Sequence, residues 1–124
     1  MKRKRKHKIV PAKFQQNFLG QLDGRYELTR ELRASFEALT ADLGGLDSLS
    51  HIKRTLCERF IWLSAILRGL EKKISEGDAT QSAELLGRWI QGLNSLTGLA
   101  KTLGVERLAR KADLQRYIEG VDRK

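Results

Sequence analysis

Leu28, Leu32, Phe36, Leu39 and Leu43 recur at intervals of four, four, three and four. On a helix of 3.6 residues per turn that spacing makes one apolar stripe, and it predicts a helix over residues 24–43. Arg25, Glu27, Arg30, Glu31, Arg33 and Glu37 fill its other faces. Gly44-Gly45 ends it, because glycine enters the left-handed conformation without a Cβ clash. A second helix is predicted over 51–76, started by Ser50 as N-cap and stopped at Gly77-Asp78. Its stripe runs through Ile52, Leu56, Phe60, Leu63, Leu67, Leu70 and Ile74, and Ile61, Trp62 and Ile66 widen it into a broad apolar arc. An arc this broad suits a helix in the middle of a bundle or at a subunit interface. A third helix, over 80–103, carries Leu86, Trp89, Leu93, Leu96, Ala100 and Leu103 in an a/d heptad pattern. Gly87, Gly92 and Gly98 each cost about 1 kcal/mol relative to alanine inside a helix, so their presence implies close approach of neighbouring backbones.

The second and third helices are of nearly equal length, roughly 36–39 Å, and are joined by a tight turn, which makes an antiparallel hairpin. A last short helix is expected over 106–118, packing through Leu108, Ala112 and Tyr117, with residues 121–124 frayed. The expected fold is all-α: a small helical bundle built on a long antiparallel hairpin, forming one helical domain over 23–120. Residues 1–22 read as a basic, disordered N-terminal arm. Within it Phe14, Phe18 and Leu22 share helical spacing, by which a short segment can dock on the body.

Charge adds the strongest functional signal. Of the formal net charge of +9, seven positive charges lie on Lys2, Arg3, Lys4, Arg5, Lys6, Lys8 and Lys13, before the first acid at Asp23. The rest of the chain is nearly balanced. Clustered Lys and Arg neutralise phosphates and release counterions, which gives affinity without sequence preference; the same run also suits a solubilising tail or a nuclear-localisation signal. Arg107, Arg110 and Lys111 fall on one side of a helix and are secondary phosphate candidates, although Glu106, Asp113 and Glu119 can pair with them. His51, Lys53, Arg54 and Arg59 near the start of the second helix read as a solvated face. Their position against the helix dipole leaves an anion as the second reading.

Other chemistry is hard to find. Cys57 is the only cysteine and has no nearby base, so it reads as a buried small hydrophobe. His7 and His51 lack metal-ligand spacing. There is no glycine-rich phosphate loop, paired acid or nucleophile with a base, so neither catalytic residue, cofactor nor metal is expected. No run of apolar residues is long enough to span a membrane, and the tail resembles a signal-peptide n-region without an apolar stretch after it. Trp62 and Trp89, spaced among leucines, read as core or interface packing.

Leu93-Asn94-Ser95-Leu96-Thr97-Gly98-Leu99-Ala100-Lys101-Thr102-Leu103-Gly104-Val105, followed by Glu106-Arg107-Leu108-Ala109-Arg110-Lys111, resembles the C-terminal part of some phage terminase small subunits. These end a long helix with a leucine-rich run, a Leu-Gly turn and a short arginine-containing helix. The resemblance covers residues 93–111. It implies double-stranded DNA as a partner, a homo-oligomer built by the hairpin, and a packaging motor subunit as a further partner. Gly44-Gly45 is flanked by helices too long for a helix-turn-helix, so DNA contact falls to the arm.

These readings combine into a non-enzymatic nucleic-acid-binding assembly protein of the cytoplasm of a bacterial or phage-infected cell, or of the nucleus if the chain is eukaryotic. Lys2, Arg3, Lys4, Arg5, Lys6 and Lys8 are its expected primary contacts. Leu86, Trp89, Leu93, Leu96 and Leu103 are its expected oligomer interface, although such a stripe can close within one chain as well as between chains. The alternative is a helical protein–protein interaction module that binds through the Trp62 or Trp89 surface, its tail serving targeting or solubility.

Overall fold

The computed structural model describes residues 10–104 of the chain. Among them are four α-helices, one 3₁₀ turn and no strand, so the all-α reading holds. The helix expected over 106–118 lies outside the described residues.

α1 is a single turn, Phe18–Gln21. It is followed by a turn in which the Asp23 carboxylate accepts the Arg25 backbone N–H at 3.0 Å and holds the Arg25 guanidinium at 2.8 Å. That turn delays the next helix, α2, to Glu27–Asp42, three residues later than the spacing predicts. Leu32 and Leu39 are buried on its inner face, and Leu28, Phe36 and Leu43 pack at the edge of the core. Gly44 at φ 107° and Gly45 at φ 99° turn the chain out of α2, and the Gly45 N–H donates to the Thr40 carbonyl at 2.8 Å. The 3₁₀ turn Leu46–Ser48 leads to α3, His51–Glu76. The Ser50 hydroxyl caps α3 by accepting the Lys53 N–H at 3.2 Å.

Gly77 ends α3, and the Asp78 carboxylate caps α4, Ala79–Leu103, by accepting the Gln81 N–H at 2.8 Å. Gly104, left-handed at φ 83°, closes α4 by donating to the carbonyls of Ala100 and Lys101. α3 and α4 form the expected antiparallel hairpin, the most extensive packing among the described residues. Its register is marked by the Ser82 hydroxyl donating to the Ile74 carbonyl at 3.2 Å and by Gly92 lying against Leu67. α2 runs antiparallel along the first part of α3, tied near its start by the Glu31–Arg68 ion pair at 2.9 Å.

The core sits at one end of this arrangement. Phe18, Leu19, Leu22, Leu32, Leu39, Leu49, Cys57, Ile61, Ala65 and Leu103 form one buried cluster. The close backbone approach expected of Gly87, Gly92 and Gly98 is found at none of them; Gly92 alone is approached closely, and by a side chain. A Cβ on Gly92 would stand 2.7 Å from Leu67 Cδ2, whereas nothing lies within 4 Å of such an atom at Gly87 or Gly98.

Candidate nucleic-acid and assembly surface

The docking anticipated for Phe14, Phe18 and Leu22 takes place, and it carries with it the segment from Val10 onward that was grouped with the arm. Phe18 and Leu22 are 1% exposed. Phe14 lies edge-on to both Phe18 and Trp62, each at 6.2 Å between ring centroids. The Trp62 indole N–H donates to the Pro11 carbonyl at 2.8 Å. Asn17 takes a left-handed conformation, φ 64°, and its backbone N–H donates to Glu58 at 2.7 Å. A buried indole needs a partner for its N–H, and a buried carboxylate needs a donor; residues 10–17 supply both. Sequence reasoning treats Trp62 as generic packing. The signal for its role was its place off the main stripe of its helix, facing an element other than α4.

Lys2, Arg3, Lys4, Arg5, Lys6 and Lys8 lie outside the described residues, as do Arg107, Arg110 and Lys111. The chain enters the described body at Val10, one residue before the Pro11 carbonyl that accepts the Trp62 indole N–H.

The third basic patch is not one surface. His51 and Lys53 are exposed. Arg54 reaches back to donate to the Leu46 carbonyl at 3.1 Å, and its Nε is buried with no partner among the described residues. Arg59 is exposed and lies over the Phe14 ring, 4.3 Å from its centroid. Spacing alone groups these four; the fold sends them to different neighbours.

The heptad on α4 also divides. Leu103, expected at an oligomer interface, is 3% exposed and belongs to the intramolecular core. Trp89 is half-buried and donates its indole N–H to Glu71 of α3 at 2.9 Å, and Leu96 is half-buried. Leu86 and Leu93 are exposed, at 45% and 39%, and Ile90 joins them at 47%. Residues 89, 96 and 103 therefore form the row that meets the rest of the chain, while 86, 90 and 93 form an outward row. Ile90 was missed because it falls outside the a/d frame, although it lies four residues from Leu86 and three from Leu93, on the same face.

A cavity of about 440 Å³ opens between α1, α2, the 3₁₀ turn and the start of α3, lined in part by Arg33, Phe36, Arg54 and Glu58. Its polar groups hold the fold: Arg33 donates to the carbonyls of Leu19 and Leu22 at 2.9 and 3.2 Å, and Glu58 receives Asn17. Cys57 is fully buried, and that burial pushes its thiol pKa up, away from the thiolate that a nucleophile requires. Among the described residues no three His, Cys, Asp or Glu side chains gather as a metal site, and no helix is long and apolar enough to cross a membrane. No protein-family model, curated protein or solved structure matches the chain.

Proposed function

We propose that this chain is a non-enzymatic assembly protein that binds nucleic acid. The observation that carries the reading is the uncovered row Leu86, Ile90 and Leu93, on a chain that also bears the run Lys2–Lys8. Three large apolar side chains at i, i+4 and i+7 on an exposed helix face are costly to leave in water and self-complementary across a two-fold axis. A second copy is the occupant we assign to them. An oligomer then displays several basic arms at once, and multivalency raises weak phosphate contacts to useful avidity. Contact is electrostatic, through Lys2, Arg3, Lys4, Arg5, Lys6 and Lys8 with Arg107, Arg110 and Lys111 in support, and carries little base readout.

The resemblance of residues 93–111 to phage terminase small subunits gives this reading its specific form. Double-stranded DNA is the ligand, a packaging motor subunit the further partner, and the cytoplasm of an infected bacterium the setting. A helical interaction module is the second reading, favoured by the same row, since i, i+4, i+7 anchors also seat a helix in a partner's groove.

Light scattering of the purified protein at low and high salt, with and without a short DNA duplex, tests the proposal. A discrete oligomer that takes up DNA at low salt and releases it at high salt is the expected result, because phosphate binding weakens steeply with salt while an apolar interface does not. A monomer indifferent to DNA at both salts overturns it.

A further inference from the structure

Seven arginines lie among the described residues, and six of them donate hydrogen bonds within the chain. Arg25 holds Asp23, Arg30 the Gly24 and Arg25 carbonyls, Arg33 the Leu19 and Leu22 carbonyls, Arg54 the Leu46 carbonyl, Arg68 Glu31, and Arg88 Glu84. Arg59 differs. Its guanidinium makes no hydrogen bond or ion pair among the described residues; it lies over the face of Phe14, 4.3 Å from the ring centroid, and is exposed. Its neighbour Glu58, the nearest acid in sequence, is buried and receives the Asn17 N–H instead.

We propose that Arg59, its guanidinium carbon seated over the Phe14 ring, is a phosphate-binding residue of the folded body, and that with Lys13 it forms a composite site for a nucleic-acid backbone at the root of the basic arm. The proposal rests on the nucleic-acid reading above. A guanidinium over an aromatic face is held there by its cation–π attraction and still has N–H donors to offer a phosphate. The ring itself is held by Phe18 and Trp62, so the side chain is pre-oriented. Lys13 is exposed and adjoins Phe14 in sequence. Trp62, one helical turn from Arg59, pins Pro11. Lys8 stands three residues before Pro11, at most about 11 Å of extended chain. The end of the basic run and Arg59 can therefore touch the same strand.

The experiment is fluorescence anisotropy of a labelled DNA duplex against the full-length protein over a salt series, with thermal melts of each variant. The variants are Arg59→Gln, Arg59→Lys, and an arm variant with Lys2–Lys6 and Lys8 changed to Gln. Arg59→Gln is expected to weaken binding about tenfold, the loss of a charged hydrogen-bonding partner, and to lower the salt slope by about one. Arg59→Lys is expected to keep the slope and recover part of the affinity, because a point charge replaces the guanidinium fork. Parental affinity in Arg59→Gln, with affinity lost in the arm variant, overturns the role of Arg59 and leaves the nucleic-acid reading standing. No binding by the parent at low salt overturns both. If Arg59→Gln melts well below the parent, Arg59→Lys decides: weaker binding at unchanged melting supports the site, and parental affinity overturns it.

Discussion

Among the described residues, α3 is covered around Cys57 and Ile61 by α4, by α2 and by residues 10–22, whereas toward the turn of the hairpin it has little besides α4. The difference is visible in burial. Between Leu67 and Leu103 none of the side chains described is buried, although Leu70, Ile74, Leu85, Leu86, Trp89, Ile90, Leu93 and Leu96 all lie in that stretch. Both ends of the hairpin carry large apolar residues at helical spacing. What separates them is the number of layers: two helices shield one face of each other, and a fully buried side chain needs a third element. The base of the bundle is therefore where folding free energy concentrates, and the free end is where apolar surface remains for another molecule.

Truncation on either side should break the symmetry most visibly. Leu32, 2% exposed, is expected to cost about 3 kcal/mol on change to alanine, the usual result of a core cavity. Ile90, at 47% exposure, should cost under about 1 kcal/mol in a monomer, because little area is returned to water. Chemical denaturation at low protein concentration measures both. Equal losses would mean that the free end is covered as well as the base.

The glycines of α4 show the same contrast within one helix. Gly92→Ala places a Cβ 2.7 Å from Leu67 Cδ2, where the hairpin enters the base, and is expected to destabilise by about 1–2 kcal/mol through overpacking. Gly87→Ala, with open space around it, should stabilise by up to about 1 kcal/mol through helix propensity. Thermal melts of the two variants should therefore move in opposite directions.

The smallest expected effect is that of pH on the base. Burial holds the Cys57 thiol above its ordinary pKa of 9.0. Above that pH the unfolded chain loses a proton that the native state keeps, so its contribution to stability falls as pH rises and is constant below it. Cys57→Ala should flatten that alkaline decline, read from denaturation midpoints on either side of the ordinary value.

Helix identity and most of the punctuation were legible because they depend on neighbours in sequence. The four-three spacing of Leu28 to Leu43, the Ser50 cap and the stops at Gly44-Gly45 and Gly77-Asp78 are local signals, and each one operates in the fold. The start of α2 was displaced because the Asp23–Arg25 turn competes with helix there, a contest between two local preferences. The surface was less legible. His51, Lys53, Arg54 and Arg59 look alike as a basic patch, yet Leu46 takes one of them and Phe14 another.

The all-α class, the hairpin with its Ser50 cap and its Gly77-Asp78 break, and the concentration of positive charge before Asp23 followed from the sequence alone, since helical period, capping and charge need no partner from elsewhere in the chain. The fold had to settle how residues 10–22 seal the base, that the α4 heptad splits into an inward row ending at buried Leu103 and an open row at Leu86, Ile90 and Leu93, and that Arg59 lies over Phe14 with no hydrogen-bond partner among the described residues. Those outcomes depend on which apolar faces compete for the same neighbour, and burial against a distant segment has no period that a sequence can display.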